Sequence, residues 1–266
     1  PDVTRRERRP TMRDPSPLLA SRPSRRYLNP SHKPAWYAAR QKTITRAQKR
    51  VERRLWPIFG LAFAFDRRID LDAAFGRSAV DRSALVLEIG CGSGEALCSL
   101  AASRPDADFV GVDWFRGGLA AAMQGLDEAG ASANARLVRA DAATLLRDGL
   151  EARRALDEVL VFFPDPWRGS EGRRIVRPEV VQSLSPLMQD GGRLHLATDV
   201  EGYADEARAV LASCCDAEAR WEEVACNCCL PRPSTKYERD GIAAGRGVND
   251  VCWRFVRGSV VRGCGD

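Results

Sequence analysis

The chain from Ala84 onward alternates short apolar runs with longer segments in which apolar residues recur at helical spacing. The short runs, rich in aliphatic and β-branched residues, predict buried strands, and the longer amphipathic segments predict helices. Apolar strands separated by helices need crossover connections, so the pattern predicts a doubly wound, mostly parallel α/β sheet covered on both faces. The predicted strands are 84–90, 108–113, 135–141, 157–164 and 193–199, and the predicted helices are about 93–103, 115–129, 178–189 and 201–213.

The segments on either side of this alternation complete the predicted organisation. Thr45 and Gln48 have capping-box spacing, so a helix is predicted after Thr45, and Pro57 is expected to end it. Residues 221–257 are predicted to form two closing strands around a basic loop, which brings the sheet to seven strands. The predicted divisions are an extended basic arm over 1–40, one α/β domain over 41–258 and a tail over 259–266.

The composition predicts a globular core and excludes a membrane partner. The chain has 266 residues, 44% of them hydrophobic, which suits one large domain with appendages. No apolar run reaches the roughly 18 residues of a membrane span, and nothing resembles a cleavable secretory signal.

Charge is distributed unevenly along the chain. Residues 1–50 contain 14 Lys or Arg against 3 Asp or Glu, a balance of +11, whereas the remainder carries −6. A basic arm on a mildly acidic body suggests that residues 1–50 contact nucleic acid, for example rRNA or a ribonucleoprotein, or another polyanion. An Arg-rich targeting remnant is the alternative, since the start at Pro1 fits a processed or truncated end. That alternative indicates a mitochondrion or plastid, and otherwise the cytoplasm is expected.

The cysteines do not predict a disulfide framework or a metal site. Nine cysteines are an odd number without repeating spacing, so reduced thiols are expected. The cluster at Cys226, Cys228 and Cys229 lacks paired C-x-x-C spacing, and His32 and His195 are distant along the sequence. Zinc is therefore the less favoured interpretation, and no metal ligand is predicted.

Acidic residues stand where the predicted strands end. Parallel strands present their carboxyl ends at one edge of the sheet, where ligands of such folds bind. Carboxylates at corresponding strand ends therefore converge on one crevice, which is more typical of a functional site than of scattered structural acids. These residues are Glu88, Asp113, Asp141, Asp165 and Asp199.

The first strand end also carries glycines, Gly90, Gly92 and Gly94, which allow a sharp turn close to a ligand. The G-x-G-x-G pattern is weak alone and differs from the dinucleotide motif G-x-G-x-x-G. Asp113 follows at the second strand end, where an acid can bind ribose hydroxyls. The surrounding acids would repel a pyrophosphate, so S-adenosyl-L-methionine, with its cationic tail, is favoured over NAD. A glycine turn without a ligand is the remaining alternative.

The sequence VFFPDPW over residues 161–167 holds Asp165 between two prolines. Each proline fixes its own φ, and the second also restricts the residue before it, so Asp165 has little backbone freedom. Such rigidity suits a catalytic or ligand-binding carboxylate. The alternative is a strand-ending turn, with a cis bond before Pro164 or Pro166.

Several motifs in order resemble one family, the bacterial type of tRNA (guanine-N7-)-methyltransferase, over about residues 40–257. They are E-I-G-x-G-x-G at 88–94, F-F-P-D-P-W at 162–167, R-R-I-V at 173–176, T-D at 198–199 and R-P-x-T-K-Y-E at 232–238. The resemblance implies a Rossmann-like class I methyltransferase that uses S-adenosyl-L-methionine to methylate guanine N7 in the variable loop of tRNA.

The resemblance also implies roles for individual residues. Asp165 is expected to be catalytic and to contact the cofactor. Asp199 or Glu238 is expected to accept hydrogen bonds from guanine, and Arg173, Arg174, Arg232 and Lys236 are plausible phosphate contacts. The cofactor contacts are Glu88, Gly90, Gly92, Gly94, Asp113, Trp114 and Asp141, and the substrate contacts are Arg168, Asp199, Thr235, Lys236, Tyr237 and Glu238.

One departure from the family leaves other functions open. The loop over 168–172 is shorter and less basic than is usual in the family, and it contains Glu171. Arg168 is expected to replace the usual basic contact, and the basic arm to compensate electrostatically. The alternatives are a structural or assembly subunit of an organellar ribosome or other ribonucleoprotein, and methylation of another RNA or a protein.

Overall fold

The computed structural model describes residues 44–64, 66–77, 79–151, 155–226 and 232–258. Its strands are β1 Gly60–Leu61, β2 Leu85–Ile89, β3 Asp108–Asp113, β4 Ala135–Arg139, β5 Leu156–Phe162, β6 Met188–Thr198, β7 Ala219–Val224 and β8 Asn249–Arg257. They form one eight-stranded sheet in the order β1-β4-β3-β2-β5-β6-β8-β7. The pairs from β1 to β6 are parallel, whereas β8 runs antiparallel to both β6 and β7. The predicted doubly wound, mostly parallel sheet is confirmed.

Eight helices connect or flank these strands in the described part of the chain. Alternate strand residues face opposite layers, so that Val86 packs into one apolar cluster while Leu85 and Leu87 pack into the other. The helices are α1 Arg46–Phe59, α2 Leu71–Phe75, α3 Glu95–Ser103, α4 Arg116–Glu128, α5 Ala142–Thr144, α6 Pro178–Leu184, α7 Tyr203–Ser213 and α8 Lys236–Ala243. α1, α3 and α4 cover one face of the sheet, and α6 and α7 cover the other.

The structure corrects several predicted elements. The sheet has eight strands rather than seven because the connector after α1 contains β1, whose two residues are too few to show a pattern. Pro57 lies inside α1 and does not end it. The helix predicted over 178–189 ends at Leu184, and β6 already begins at Met188. The segment predicted as a basic loop contains α8. The basic arm and the tail lie outside the described residues.

The strand order reverses between β2 and β5. Chain connections from β2 lead to β3 on one side, whereas β5 and β6 lie on the other, and Glu88 of β2 pairs with Leu160 of β5. Ligands of open α/β sheets bind at such a reversal, outside the carboxyl ends of the strands. The glycine turn after β2 and the PDPW segment after β5 both lie there.

Among the described residues, no helix is long and apolar enough to span a membrane.

Candidate active site

The glycine turn after β2 adopts a backbone that only glycine accepts easily. Gly90, Gly92 and Gly94 have φ values of 76°, 54° and 77°, in the left-handed region that side chains disfavour. A Cβ on Gly94 would lie 2.7 Å from the Cβ of Ala122, so this glycine lets α3 approach α4. A Cβ on Gly90 would meet nothing within 4 Å, so this part of the turn is open to a ligand.

Asp113, at the end of β3, holds the glycine turn in place. Its Oδ2 accepts a hydrogen bond from the Gly92 N–H at 2.8 Å, and its Oδ1 accepts one from the Phe115 N–H at 2.6 Å. Burial raises the pKa of the Asp113 carboxyl, and the nearby charge of Asp165 adds to the increase, although the hydrogen bonds oppose it. Each carboxylate oxygen has two lone pairs, so Asp113 can still accept from a ligand.

Glu88 is a buried acid with an unused oxygen. It is 4% exposed, and its Oε2 has no hydrogen-bond partner in the described part of the chain. Burial, and secondarily the charge of Asp113, raises its pKa to about 8. A buried polar atom without a partner is costly, and a cationic ligand group would relieve that cost. Glu88 and the open glycine turn therefore fit a cofactor that carries positive charge.

Asp141 and Trp114 lie at the neighbouring strand ends. Asp141 caps α5, because its Oδ2 accepts hydrogen bonds from the Thr144 backbone N–H at 2.9 Å and from the Thr144 hydroxyl at 2.7 Å. Trp114 follows β3, and the Arg139 guanidinium lies 5.4 Å from its ring centre. The capping role explains why an acid stands at position 141 even without a cofactor.

The PDPW segment presents an exposed carboxylate on a strained turn. Phe163 and Trp167 have φ values of 50° and 43°, which cost non-glycine residues about 1–3 kcal/mol each. The Phe163 N–H donates to the Ala197 carbonyl at 2.7 Å, which anchors the turn to β6. Asp165 lies between these strained residues and is exposed. None of the described peptide bonds is cis, so the cis bonds considered from the sequence do not occur here.

Two arginines support this turn. Arg174 is 5% exposed, donates from Nε to the Pro166 carbonyl at 2.9 Å and forms an ion pair with Glu206. Arg173 is exposed, and its guanidinium lies 5.5 Å from the Trp167 ring centre. Nε and Nη1 of Arg174 serve the PDPW turn and a carboxylate, and its predicted phosphate contact stays a prediction.

The Thr235 to Glu238 run, predicted to bind substrate, forms the start of α8. Thr235 is the N-cap, and its Oγ1 accepts from the Glu238 N–H at 3.3 Å. The Lys236 N–H donates to Glu95 Oε2 at 2.5 Å, which docks α8 against the start of α3. Tyr237 is 61% exposed, and its Cε2 lies 4.0 Å from the position a Gly92 Cβ would take. The predicted cofactor and substrate segments therefore meet.

Glu238 and Asp199 both bind internal arginines. Glu238 accepts from Arg232 Nη2 at 2.6 Å, and this hydrogen bond lowers the Glu238 pKa. Arg232 also lies 5.3 Å from the Phe163 ring centre, so it connects α8 to the PDPW turn, and its predicted phosphate contact stays a prediction. Asp199 Oδ2 accepts from Arg246 Nε at 2.7 Å. Arginine hydrogen bonds thus hold both acids in position.

The short loop after Trp167 is folded by its own acid. Glu171 Oε1 accepts from the Gly169 N–H at 2.7 Å, and backbone hydrogen bonds lower the Glu171 pKa. Arg168 is exposed on this loop. The Glu171 side chain therefore points a carboxylate oxygen back at the loop backbone.

The sequence interpretation missed two supporting residues, Glu95 and Arg246, and it named Arg174 without its contact to the PDPW turn. Glu95 was detectable, because it is an acid in the first turn of the helix that follows the glycines. The contacts of Arg174 and Arg246 gave no local signal, since their partners Pro166 and Asp199 become neighbours only through the fold.

Comparisons with known proteins agree with this geometry. A family model described as "Putative methyltransferase" matches residues 82–251. A tRNA (guanine-N(7)-)-methyltransferase of Halorhodospira halophila is 37% identical over 230 residues, covering 82% of this chain and 94% of that protein. Its counterpart from Leifsonia xyli is 40% identical over 232 residues, covering 85% and 97%. Among solved structures, the 16S rRNA methyltransferase KamB has a TM-score of 0.48 and 18% identity, covering 72% of this chain and 94% of that one. So weak a likeness says nothing about the substrate of this chain.

Proposed function

This chain belongs to the tRNA (guanine-N(7)-)-methyltransferase family, and from that premise we propose that it transfers a methyl group from S-adenosyl-L-methionine to N7 of a guanine in the variable loop of tRNA. The observation that carries the proposal is the exposed Asp165 carboxylate, held on the strained turn after β5 beside the glycine turn after β2. Asp165 lies close enough to Asp113 for its charge to raise the Asp113 pKa, which supports one site for the proposed catalytic and cofactor carboxylates.

The cofactor would be held by the carboxyl ends of β2, β3 and β4. When bound, S-adenosyl-L-methionine supplies an electrophilic methyl group on a cationic sulfur. Glu88 and Asp113 make this end of the sheet favourable for positive charge, and Asp113 retains lone pairs for ribose hydroxyls. Gly90 leaves open space for close approach, while Trp114 and Asp141 border the site at neighbouring strand ends.

Asp165 would act on the guanine by charge and position. Guanine N7 already has an in-plane lone pair, so no base needs to remove a proton before it attacks the methyl group. The purine gains positive charge as the bond to carbon forms, and a preorganised carboxylate beside it stabilises that charge. Strain at Phe163 and Trp167 and the Arg174 hydrogen bond keep Asp165 in one position, which lowers the reorganisation needed during reaction.

The two acids beside α8, Asp199 and Glu238, would recognise the base. Guanine presents N1–H and an exocyclic amine, and carboxylates only accept hydrogen bonds, so Asp199 or Glu238 suits this edge. Arg246 and Arg232 hold these two acids in place. Tyr237 offers an exposed ring beside the glycine turn, and an exposed ring can stack on an unpaired base.

A basic face on α1 supports RNA as the partner. Arg46, Lys49, Arg50 and Arg53 are exposed and line one pocket together with Arg116. α1 reaches the cofactor side of the sheet, because Gln48 Nε2 donates to the Gly117 carbonyl of α4 at 3.4 Å. Positive side chains beside the site suit the phosphates of tRNA.

The test is label transfer from S-adenosyl-L-methionine to unmodified tRNA, followed by strand cleavage specific for N7-methylguanosine. Wild-type protein is expected to give one cleavage product, which disappears when the methylated guanine is replaced by adenine. Asp165→Asn removes the charge at nearly constant shape and is expected to lower kcat about 10²- to 10³-fold. Asp127→Asn is the matched control, because Asp127 is an exposed acid that pairs with Arg54 on the surface.

Cofactor binding by calorimetry separates a catalytic defect from a binding defect. Asp165→Asn is expected to keep most of its cofactor affinity while kcat falls. Absence of N7-methylguanosine with the wild-type protein, or full kcat in Asp165→Asn, would contradict the proposal. The names of the relatives give no support to a structural ribonucleoprotein subunit or to an organellar location.

A further inference from the structure

Three potential metal ligands meet on one face of the sheet, at β6, β8 and the end of β7. His195 of β6 and Cys252 of β8 are direct partners in the antiparallel register. Cys226 lies just past the end of β7, two residues beyond Val224, the β7 partner of Cys252. The ligand atoms of these three residues lie within 4.8 Å of one another. Two sulfurs and an imidazole are a donor set typical of Zn²⁺.

The side-chain hydrogen bond of His195 uses Nε2 and leaves Nδ1 to bind a metal. His195 Nε2 lies 2.7 Å from Asp250 Oδ1, and a carboxylate can only accept, so Nε2 carries the proton. Nδ1 then keeps its lone pair. It is buried without a hydrogen-bond partner among the described residues, on a side chain that is 4% exposed.

This arrangement is the one that metal-binding histidines use. A carboxylate that accepts from one ring nitrogen fixes the tautomer and orients the other nitrogen toward the ion. Asp250 is well suited to this role, because Arg232 donates to the same carboxylate from Nε at 2.8 Å and from Nη2 at 3.1 Å and so fixes it beside His195.

We propose that His195 Nδ1 and the thiolates of Cys226 and Cys252 bind a structural Zn²⁺ ion. Binding replaces the two thiol protons with the metal, so two protons are released and the affinity rises with pH. The fourth position of a tetrahedral site is filled by a ligand outside these three residues. The ion joins the end of β7 to its neighbour β8 and to β6 beyond it.

The site also connects to α8 through a chain of hydrogen bonds. Asp250 accepts from Arg232 Nε at 2.8 Å, and Arg232 in turn donates to Glu238. Metal binding would therefore help to orient Glu238 by fixing His195 and Asp250. This second step rests on the proposed substrate role of Glu238, whereas metal binding itself does not.

The test measures metal content, independently of methyl transfer. The full chain, purified without a histidine tag and reconstituted with Zn²⁺, is expected to retain one ion per chain after gel filtration. Replacement by Co²⁺ is expected to give the visible bands of a tetrahedral thiolate site. Cys226→Ser and Cys252→Ser are expected to lose the ion and the bands. Cys214→Ser is the matched control, because Cys214 lies at the end of α7, outside the three-residue cluster, and should retain both.

A milder variant keeps the metal site testable if loss of the buried Cys252 side chain unfolds the protein. Asp250→Asn keeps all three ligands and is expected to lower Zn²⁺ affinity about 10- to 100-fold in competition with a chromogenic chelator. The proposal is overturned if wild-type protein retains no stoichiometric Zn²⁺, or if the double variant Cys226→Ser/Cys252→Ser retains it. Active enzyme without zinc would reject the metal site and leave the proposed methyltransferase function intact.

Discussion

Replacing Glu88 by glutamine should stabilise the cofactor-free protein while weakening cofactor binding. Glu88 is buried on β2, and its Oε2 has no hydrogen-bond partner among the described residues. Its pKa rises from 4.5 to about 8, mainly because burial disfavours the charged form. Glutamine has nearly the same shape and stays neutral at every pH, so it mimics the protonated acid.

The sign and size of the effect follow from the two pKa values. The protonated carboxyl contributes full stability below pH 4.5, its unfolded-state value, and that contribution is lost as pH rises toward about 8. Within this window the loss is about 1.4 kcal/mol per pH unit. From pH 5 to pH 7 the wild type should therefore lose about 2 to 3 kcal/mol relative to Glu88→Gln. For a chain of this size, that corresponds to roughly 5 to 10 °C in Tm.

The assay is urea unfolding of both proteins without cofactor, at half-unit steps from pH 5 to pH 8. The difference between the two free energies of unfolding should grow steadily in favour of Glu88→Gln. Glu179→Gln is the matched control, because the Glu179 side chain is 76% exposed on α6, and its difference from wild type should stay constant. Calorimetry at pH 7.5 should show weaker S-adenosyl-L-methionine binding by Glu88→Gln alone.

A difference between wild type and Glu88→Gln that does not change with pH would refute the reasoning. It would mean that Glu88 ionises in the folded protein as it does in the unfolded chain. Loss of stability in Glu88→Gln at every pH would instead indicate that the carboxyl makes a hydrogen bond that glutamine cannot replace.

Three further predictions concern the substrate side of the site. Arg174→Met should lower kcat about tenfold or more with little change in the KM for tRNA, because a charge-assisted hydrogen bond that positions the PDPW turn is lost. An unchanged kcat in steady-state assays would contradict this. Tyr237→Ala should weaken tRNA binding by about 1–3 kcal/mol in filter-binding assays, while Tyr237→Phe retains it, because stacking needs only the ring. The double variant Arg46→Gln/Arg50→Gln should lower the slope of log affinity against log salt by about two, and an unchanged slope would exclude these side chains as phosphate contacts.

The sequence predicted the part of the fold that local patterns determine. β3 was predicted with its observed bounds, Asp108–Asp113, because a short apolar run between polar residues specifies a buried strand without tertiary information. The sequence also predicted that the acids at the strand ends lie near one another, since parallel strands place their carboxyl ends at one edge of the sheet. At that edge the charge of Asp165 contributes to raising the pKa of Asp113.

The missed elements depend on contacts between distant segments. α8 has a mostly charged sequence, with only Gly241 buried, and Glu95 of α3 fixes its start. His195 appeared too far from the cysteines to share a metal site, yet strand pairing makes it the direct neighbour of Cys252. Sequence distance is a poor guide wherever antiparallel strands fold back on one another.

The contact between α8 and the glycine turn has a thermodynamic consequence. Tyr237 lies over Gly92, and Lys236 is bonded to Glu95 at the start of α3, so the cofactor and tRNA would bind to the two sides of one shared contact. Linkage requires any cooperativity to be reciprocal: the factor by which S-adenosyl-L-methionine strengthens tRNA binding must equal the factor by which tRNA strengthens binding of the cofactor. Under the proposed function the demethylated cofactor product would bind the same turn, so its own coupling factor would determine how readily methylated tRNA leaves.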